Sequence, residues 1–439
     1  LGDPYPSSER RKQDMKRAHL VLAVLLLGLV ATGLFASGKV EGGKTLIFVF
    51  KNTTTIAPYE QIFAAFAEKT GNKVEVQALP AGEEFGQIMM TRFATKDYPD
   101  AFEMDPGTKQ YIKFKAEETL YDWTNSAVIR RVLDATREFQ TLNGKVYGVP
   151  WGTNNNLGVY YNKEIFQKLG VKPPKNYADF LDICAKAKAA GYIPVYEAVK
   201  TGWPAQIYSL GAWTSSVDPA IGDAGVLKLE KNELRLNAIP AFKKVLEQQL
   251  ALKTLGYYQS DVLAGTYEEQ QELFGTGKVA MIFQLANVLS LLEQKFGSAF
   301  VNEKVGYFPV PDEKSAGIAT LYAPGQILVP KARENVKTTV DLVDFMTQKE
   351  SLDIYYAANK GIPIYKNAES VLYPAQEDTL SYVKAGKAKM NVQNRLSSSF
   401  TDYPKILQQM FISGNVDEAL DTLDTNYRNT GKARLLPGF

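Results

Sequence analysis

The stretch TLIFVFKNTTTIAPYEQIFAAFAEKTGNKVEVQALPAGEEFGQIMMTRFATKDYPDAFEMD, residues 45–105, alternates between strand and helix periods. Residues 46–50 form an almost wholly apolar run, as expected of a strand covered on both faces of a parallel sheet. Pro58 then suits a first helical turn, Tyr59, Ile62, Phe63 and Phe66 recur at helical spacing, and Gly71 suits the position just past the helix end. Val74, Val76 and Ala78 alternate as a second strand, Phe85, Ile88, Met89 and Phe93 return to the helical period, and Pro99 and Asp100 introduce a third strand over 101–104. The unit is βαβαβ, hence α/β, with ligands expected beyond the carboxyl ends of its strands.

The remainder repeats this logic without repeating the sequence. Asn176 followed by Asp179 resembles a capping box at the start of a helix whose apolar face holds Tyr177, Phe180, Leu181 and Cys184. Residues 193–196, 278–283, 305–308 and 326–329 read as strands, and 339–346 carries apolar residues at helical spacing. The tail after Leu380 is mostly helical in pattern.

Ahead of residue 39 the pattern is of another kind. Arg10, Arg11, Lys12, Lys16 and Arg17 precede an apolar run over 20–30, followed by small residues at Ala31, Gly33, Ala36, Ser37 and Gly38. That order predicts a secretory signal peptide, with residues 1–14 upstream of a start at Met15, and the run falls short of the roughly 20 residues a spanning helix requires. No cysteine stands near the small residues, so the expected product is periplasmic rather than lipid-anchored.

Composition removes whole classes of chemistry. The sole His is His19, inside the leader, so the mature chain offers no imidazole for general-base catalysis or metal ligation. The sole Cys is Cys184, which forms neither an internal disulfide nor a metal cluster. Setting aside five basic and three acidic side chains before Lys39 leaves 45 of each, a balance that argues against nucleic acid as a partner. No metal or cofactor is expected, and a monomer is.

Three further stretches occur in a fixed order. Residues 143–180 read NGKVYGVPWGTNNNLGVYYNKEIFQKLGVKPPKNYADF, FGTGKVAM follows at 274–281, and VGYFPVP at 305–311 leads to LVPKARENVKTTVDLVDFM and GIPIYKN. Together they resemble the sugar-specific extracellular solute-binding proteins of ABC importers, the maltose-binding-protein-like family, over residues 45–366. The resemblance implies a two-lobed periplasmic-binding-protein type II fold, each lobe a mixed or parallel sheet flanked by helices, with three hinge crossings near 152–156, 319–324 and 361–365. Lobe one would hold 44–152 plus 325–361, and lobe two 157–318 plus 366–439. The implied function is capture of a mono- or oligosaccharide between the lobes, hinge closure, and delivery to membrane permease subunits.

A pyranose offers apolar C–H faces and a ring of hydroxyls, so its site needs aromatic platforms and a few fixed polar groups. Family position suggests Asn52, Glu84 and Asp105 as hydroxyl-binding groups, although each also suits a turn or a first helical turn. Trp151, Asn154 and Asn155 lie at the first crossing, and Trp203 and Trp213 are the leading platforms, whereas Trp123 is expected to pack. Where the family often places Gly and then Trp, this chain reads QLANV, putting Asn287 at the platform position and leaving Gln284 and Asn287 to bind hydroxyls. Tyr322 and Gln326 flank Pro324 and Gly325 and complete the candidate set.

Two rival readings stay open on the sequence alone. Adjacent tyrosines at Tyr160–Tyr161, Tyr257–Tyr258 and Tyr355–Tyr356 are the ligand type by which related two-lobed proteins hold ferric iron. A secreted glycosidase would need two carboxyl groups about 5 to 9.5 Å apart across a scissile bond; Glu103 and Asp105 would share one strand face, with Glu83 and Glu84 nearby in sequence, but sharing a face is not flanking a bond and no motif signals hydrolysis.

Overall fold

The computed structural model describes residues 43–138 and 140–439, so the predicted leader lies outside the described residues. Within 44–439 the chain builds two sheets with separate cores.

The first sheet has the order β2-β1-β3-β10-β4, from β1 (Thr45–Lys51), β2 (Lys73–Leu79), β3 (Ala101–Met104), β4 (Gly148–Trp151) and β10 (Gly325–Leu328). Strand β1 runs parallel to both neighbours, with Phe48 opposite Val76 on one side and Ala101 on the other. Strand β10 is antiparallel to β3 and β4, which makes the sheet mixed. The apolar run of β1 is buried on both faces as its sequence predicts. Leu46, Phe48 and Phe50 meet Tyr59, Ile62, Phe63 and Phe66 of α1 (Ala57–Thr70), while Val49 meets Phe85 and Met89 of α2 (Glu83–Ala94) on the other face. Fully burying such side chains stabilises by about 1.5–3 kcal/mol each, so β1 anchors this half. Helix α1 ends where Gly71 takes φ 76° and its N–H returns to Ala67 O.

The second sheet has the order β11-β9-β5-β7-β6, from β5 (Asn155–Asn162), β6 (Ile193–Tyr196), β7 (Val279–Leu285), β9 (Ala319–Tyr322) and β11 (Ala388–Met390). Strand β8 (Val305–Phe308) pairs with the far half of β5, while β9 pairs with its near half. Val159 and Tyr161 point into one core and Tyr160 into the other, the alternation of a strand covered on both sides. Helix α3 (Tyr177–Ala189) starts where the Asn176 side chain accepts from Asp179 N, and the Asp179 carboxylate accepts from Lys175 N. Cys184 is fully buried on that helix, and burial pushes its thiol far above the usual range. The tail is helical over α4 (Tyr403–Ser413) and α5 (Val416–Ala433), but it also contributes β11, an edge strand parallel to β9 that its sequence did not suggest.

The chain passes from β4 to β5 through Gly152, Thr153 and Asn154, and from β9 to β10 through Ala323 and Pro324. Gly152 takes φ 117°, a conformation that side-chain-bearing residues rarely adopt, and its carbonyl accepts from Tyr356 Oη at 2.8 Å. Asn154 N donates to Ile362 O, which ties the first connection to the segment around 361–365. Ile364 and Tyr365 pack in the core of the first sheet, and Tyr373 packs beside β8 in the second.

Candidate functional site

Register places several chain ends at the junction of the two sheets. Strand β5 emerges from the first connection, Leu157 pairs with Leu285 at the carboxyl end of β7, and Tyr196 at the end of β6 lies level with Ile282. Tyr322 ends β9 at the second connection, and Met390 ends β11 level with Leu321. The segments following β6, β7, β9 and β11 therefore share one rim, opposite the loops that follow β1 and β3.

On the first-sheet side, Lys51 at the end of β1 meets Asp105 just past β3, Nζ to Oδ1 at 2.6 Å. Glu103 Oε1 accepts from Lys51 N at 2.6 Å and from Thr54 Oγ1 at 2.8 Å, so both carboxylates gather on the same lysine. Asp105 remains 48% exposed although surrounding protein desolvates it, the condition of a group set in a recess. That desolvation works to raise its pKa, but the charge and hydrogen bond of Lys51 prevail and hold it below the usual carboxylate range. Glu103 goes the other way: desolvation, only partly offset by Lys51, raises it. Gln326, only 1% exposed, donates from Nε2 to Asp105 O at 2.8 Å and Gly107 O at 3.1 Å. Gly148 leaves the room, because a Cβ there would sit 2.9 Å from Gln326 Cδ.

On the opposite rim the turn after β11 carries Asn391, Gln393, Asn394 and Arg395. Its backbone is held by Asn391 N to Leu321 O at 2.8 Å, and Asn394 Oδ1 accepts from Ala323 N at 3.3 Å. Gln393 Nε2 reaches Gln206 Oε1 at 3.4 Å. Lys109, in the loop-helix after Asp105, meets Gln393 O at 3.4 Å and so joins the two sides. Arg395 pairs with Asp218 through Nη2 at 2.5 Å, and Asp218 also accepts from Trp213 Nε1 at 3.0 Å.

The sequence candidates divide accordingly. Asp105 and Tyr322 come to the junction, and the Asp105 charge helps burial raise the pKa of Tyr322. Asn154 and Asn155 are half-buried on the first connection, and Asn287 is exposed beyond β7. Trp203, after β6, is half-buried and stands edge-on to Tyr267 at 5.1 Å. Asn52 is exposed, but its carbonyl is engaged with Ala81 N at 3.1 Å, and Glu84 is an exposed residue of the first turn of α2.

Four candidates need correction because their functional faces are covered. Trp213 is completely buried between Phe242 and Phe400, and Trp151, 6% exposed, packs on Tyr355 and Tyr365 with its Nε1 on Tyr59 Oη. Neither ring offers a platform. Gln284 is wholly buried and donates to Gln270 Oε1 at 2.7 Å, and Gln326 braces the Asp105 loop from beneath. Trp123 is fully buried, as expected of a packing residue. The Asn391–Arg395 turn and Lys109 were missed; the signal was three amides and an arginine within five residues after a short polar strand.

The rivals fare poorly in this geometry. Tyr160 and Tyr161 lie on opposite faces of β5, Tyr355 and Tyr356 are both packed in the core of the first sheet, Tyr258 is buried with Tyr257 half-buried beside it, and the described residues contain no cluster of three His, Cys, Asp or Glu side chains able to hold a metal. Glu103 and Asp105 crowd one lysine on one side rather than flanking a bond. A separate groove of 570 Å³ lined by Lys243, Glu247, Leu255 and Asp417 includes none of the junction residues.

The sequence profile described as bacterial extracellular solute-binding protein matches residues 61–383. The chain belongs to this family. Among its relatives, this solute-binding protein is 24% identical to the multiple sugar-binding protein of Streptococcus mutans over 69% of this chain and 72% of that one. It is likewise 24% identical to the sn-glycerol-3-phosphate-binding periplasmic protein UgpB of Escherichia coli, over 78% of each. Among solved structures it resembles a Bacillus licheniformis sugar transporter in complex with stachyose, with TM-score 0.73, 16% identity and coverage of 88% of this chain and all of that one. The apo form of RafE from Streptococcus pneumoniae gives TM-score 0.69 at 19% identity, covering 90% and 100%. The fold is thus the two-lobed solute-binding architecture, with mixed sheets flanked by helices. No helix among the described residues is long and apolar enough to cross a membrane.

Proposed function

We propose that this chain is the sugar-binding component of an ABC-type importer, exported to the periplasm, monomeric, and handing its ligand to membrane permease subunits rather than transforming it. The observation that carries this reading is Asp105, an accessible carboxylate held in a recess at the carboxyl end of a parallel strand, facing the rim of a second sheet. The S. mutans relative and the stachyose-bound structural neighbour support the sugar class. Asp105, Asn155, Trp203, Asn287 and Tyr322 are the ligand-contacting set, with Trp203 and Tyr322 as its aromatic surfaces. The hinge runs through Gly152–Asn154, Ala323–Pro324 and the segment between Lys366 and Tyr373. Lobe one comprises 44–152 and 325–366, lobe two 155–322 and 373–439.

Ligand that binds only the native protein raises its melting temperature with saturation. A thermal-shift screen against mono- and oligosaccharides is expected to give at least one clear rise, and that sugar is expected to reduce the radius of gyration in small-angle scattering as the lobes close. A screen in which no saccharide shifts the transition defeats the sugar reading; an unchanged radius at saturation defeats hinge closure.

A further inference from the structure

The rim opposite Asp105 carries unused donors. Asn391 Nδ2, Asn394 Nδ2 and Arg395 Nε are buried and have no hydrogen-bond partner among the described residues, although Asn391 is fully enclosed. Native proteins rarely leave such groups unmet, and three donors within five residues form one feature rather than scattered exceptions. Every unmatched atom in this turn is a donor, so the complement is an acceptor.

Charge at the same place points further. Lys109 reaches into the junction, where among the described residues its one hydrogen-bond acceptor is the Gln393 carbonyl at 3.4 Å. Asp105, whose charge acts on Lys109, is engaged with Lys51 at 2.6 Å, and Glu103 is engaged with the Lys51 backbone and Thr54. Arg434 uses Nη1 on Ser397 O at 2.6 Å, and Arg395 is paired with Asp218. Burial, with the charges of Arg434 and Lys113 adding to it against the pull of Asp105, lowers the Lys109 pKa to about 8. A half-buried lysine short of negative charge beside unmatched donors is a binding feature.

We propose that Lys109 and the Asn391–Arg395 turn form a subsite for an anionic group carried by the saccharide, a carboxylate or a phosphate. This rests on the sugar-binding reading above and narrows it. The anion would sit against the Lys109 ammonium and accept from the amide donors, while the hydroxyls of the same sugar meet Asp105. Charge-assisted hydrogen bonds are roughly twice as strong as neutral ones, so the subsite would dominate selection between otherwise similar sugars.

The test uses the full exported protein and calorimetric titration with three probes: digalacturonate, its neutral counterpart galactobiose, and glucose 6-phosphate. One of the two anionic probes is expected to bind at least tenfold more tightly than galactobiose, and which of them does so distinguishes carboxylate from phosphate. Its affinity should fall between pH 7 and pH 9, because Lys109 loses its proton near pH 8 in the free protein while the probe stays charged; the charged groups that act on Lys109 there are Asp105, Arg434 and Lys113. Lys109→Met should weaken the anionic probe at least tenfold, and Lys109→Arg should keep it bound with a flat pH profile. Circular dichroism checks that both variants fold. Galactobiose binding as tightly as both anions, or Lys109→Met leaving the anionic probe unaffected, overturns the subsite while leaving sugar binding intact. Failure of all saccharides in this test and in the thermal screen overturns the underlying reading instead.

Discussion

On the first sheet, Lys51, Glu103, Asp105 and Thr54 satisfy one another within 2.8 Å, and Gln326 fixes the loop from below. On the second, the turn at 391–395 is held through Asn391 N and Asn394 Oδ1 and leaves Asn391 Nδ2, Asn394 Nδ2 and Arg395 Nε without partners among the described residues. One side is preorganised by its own charges, and the other keeps three donors that the proposed ligand would complete. A receptor gains affinity from a rigid side because no ordering entropy is lost there, and selectivity from a side that is unsatisfied until the right chemistry arrives.

The largest expected effect lies behind the open turn. Trp213 supports it at one remove, through Asp218 to Arg395, and is itself packed against Phe242 at 4.8 Å. Trp213→Ala removes a fully buried indole and leaves Asp218 with one partner fewer, so it should cost about 3–5 kcal/mol in urea unfolding. A loss below about 1 kcal/mol would mean that this ring is not the support of the second rim.

Lys51→Met probes the other side and should cost less. Hydrogen bonds to charged groups contribute about 1.5–3 kcal/mol, and the exposure of Asp105 reduces this to about 1–2 kcal/mol. The pH dependence gives the sign. Asp105 is held below its ordinary pKa, so its contribution is present above about pH 4 and is lost as pH falls through the lowered folded value. The stability gap between wild type and variant should therefore narrow below about pH 4 in denaturation series. A gap that is constant from pH 7 to pH 3 would show that Lys51 acts by packing alone.

The same contrast explains what the sequence disclosed. Strand β1 and the helices beside it were legible because burial on two faces writes an unbroken apolar run, whereas Asp105 was suggested by family position alone. Trp213 was not, since it lies in an all-round buried segment where no period marks an inward or outward face. Gln284 is buried in β7, and its polarity suggested a hydroxyl contact because its partner Gln270, fourteen residues away, is not evident from the sequence. Strand β11 has three half-buried residues, too few to show a period of two, so the turn it positions was read only as part of a helical tail.

The smallest stability effect should belong to Asn394, where the argument is sharpest. Its Oδ1 accepts one long hydrogen bond from Ala323 N at 3.3 Å, and its Nδ2 has no partner, so in the empty protein the amide gains little and carries the cost of a desolvated donor. Asn394→Ala removes both at once, and the two contributions oppose each other, about 0.5–1.5 kcal/mol gained from the bond against about 1–3 kcal/mol lost to the unmet donor. The midpoints of these ranges leave the variant more stable by about 1 kcal/mol, so its unfolding free energy should rise slightly or stay nearly unchanged. Ligand reverses the balance, because the donor that burdened the empty protein then has an acceptor. The variant should accordingly bind the cognate saccharide at least fivefold more weakly, about 1 kcal/mol, at nearly unchanged stability. A variant that loses stability and affinity in equal measure would make Asn394 part of the scaffold, and the second rim would then be no less preorganised than the first.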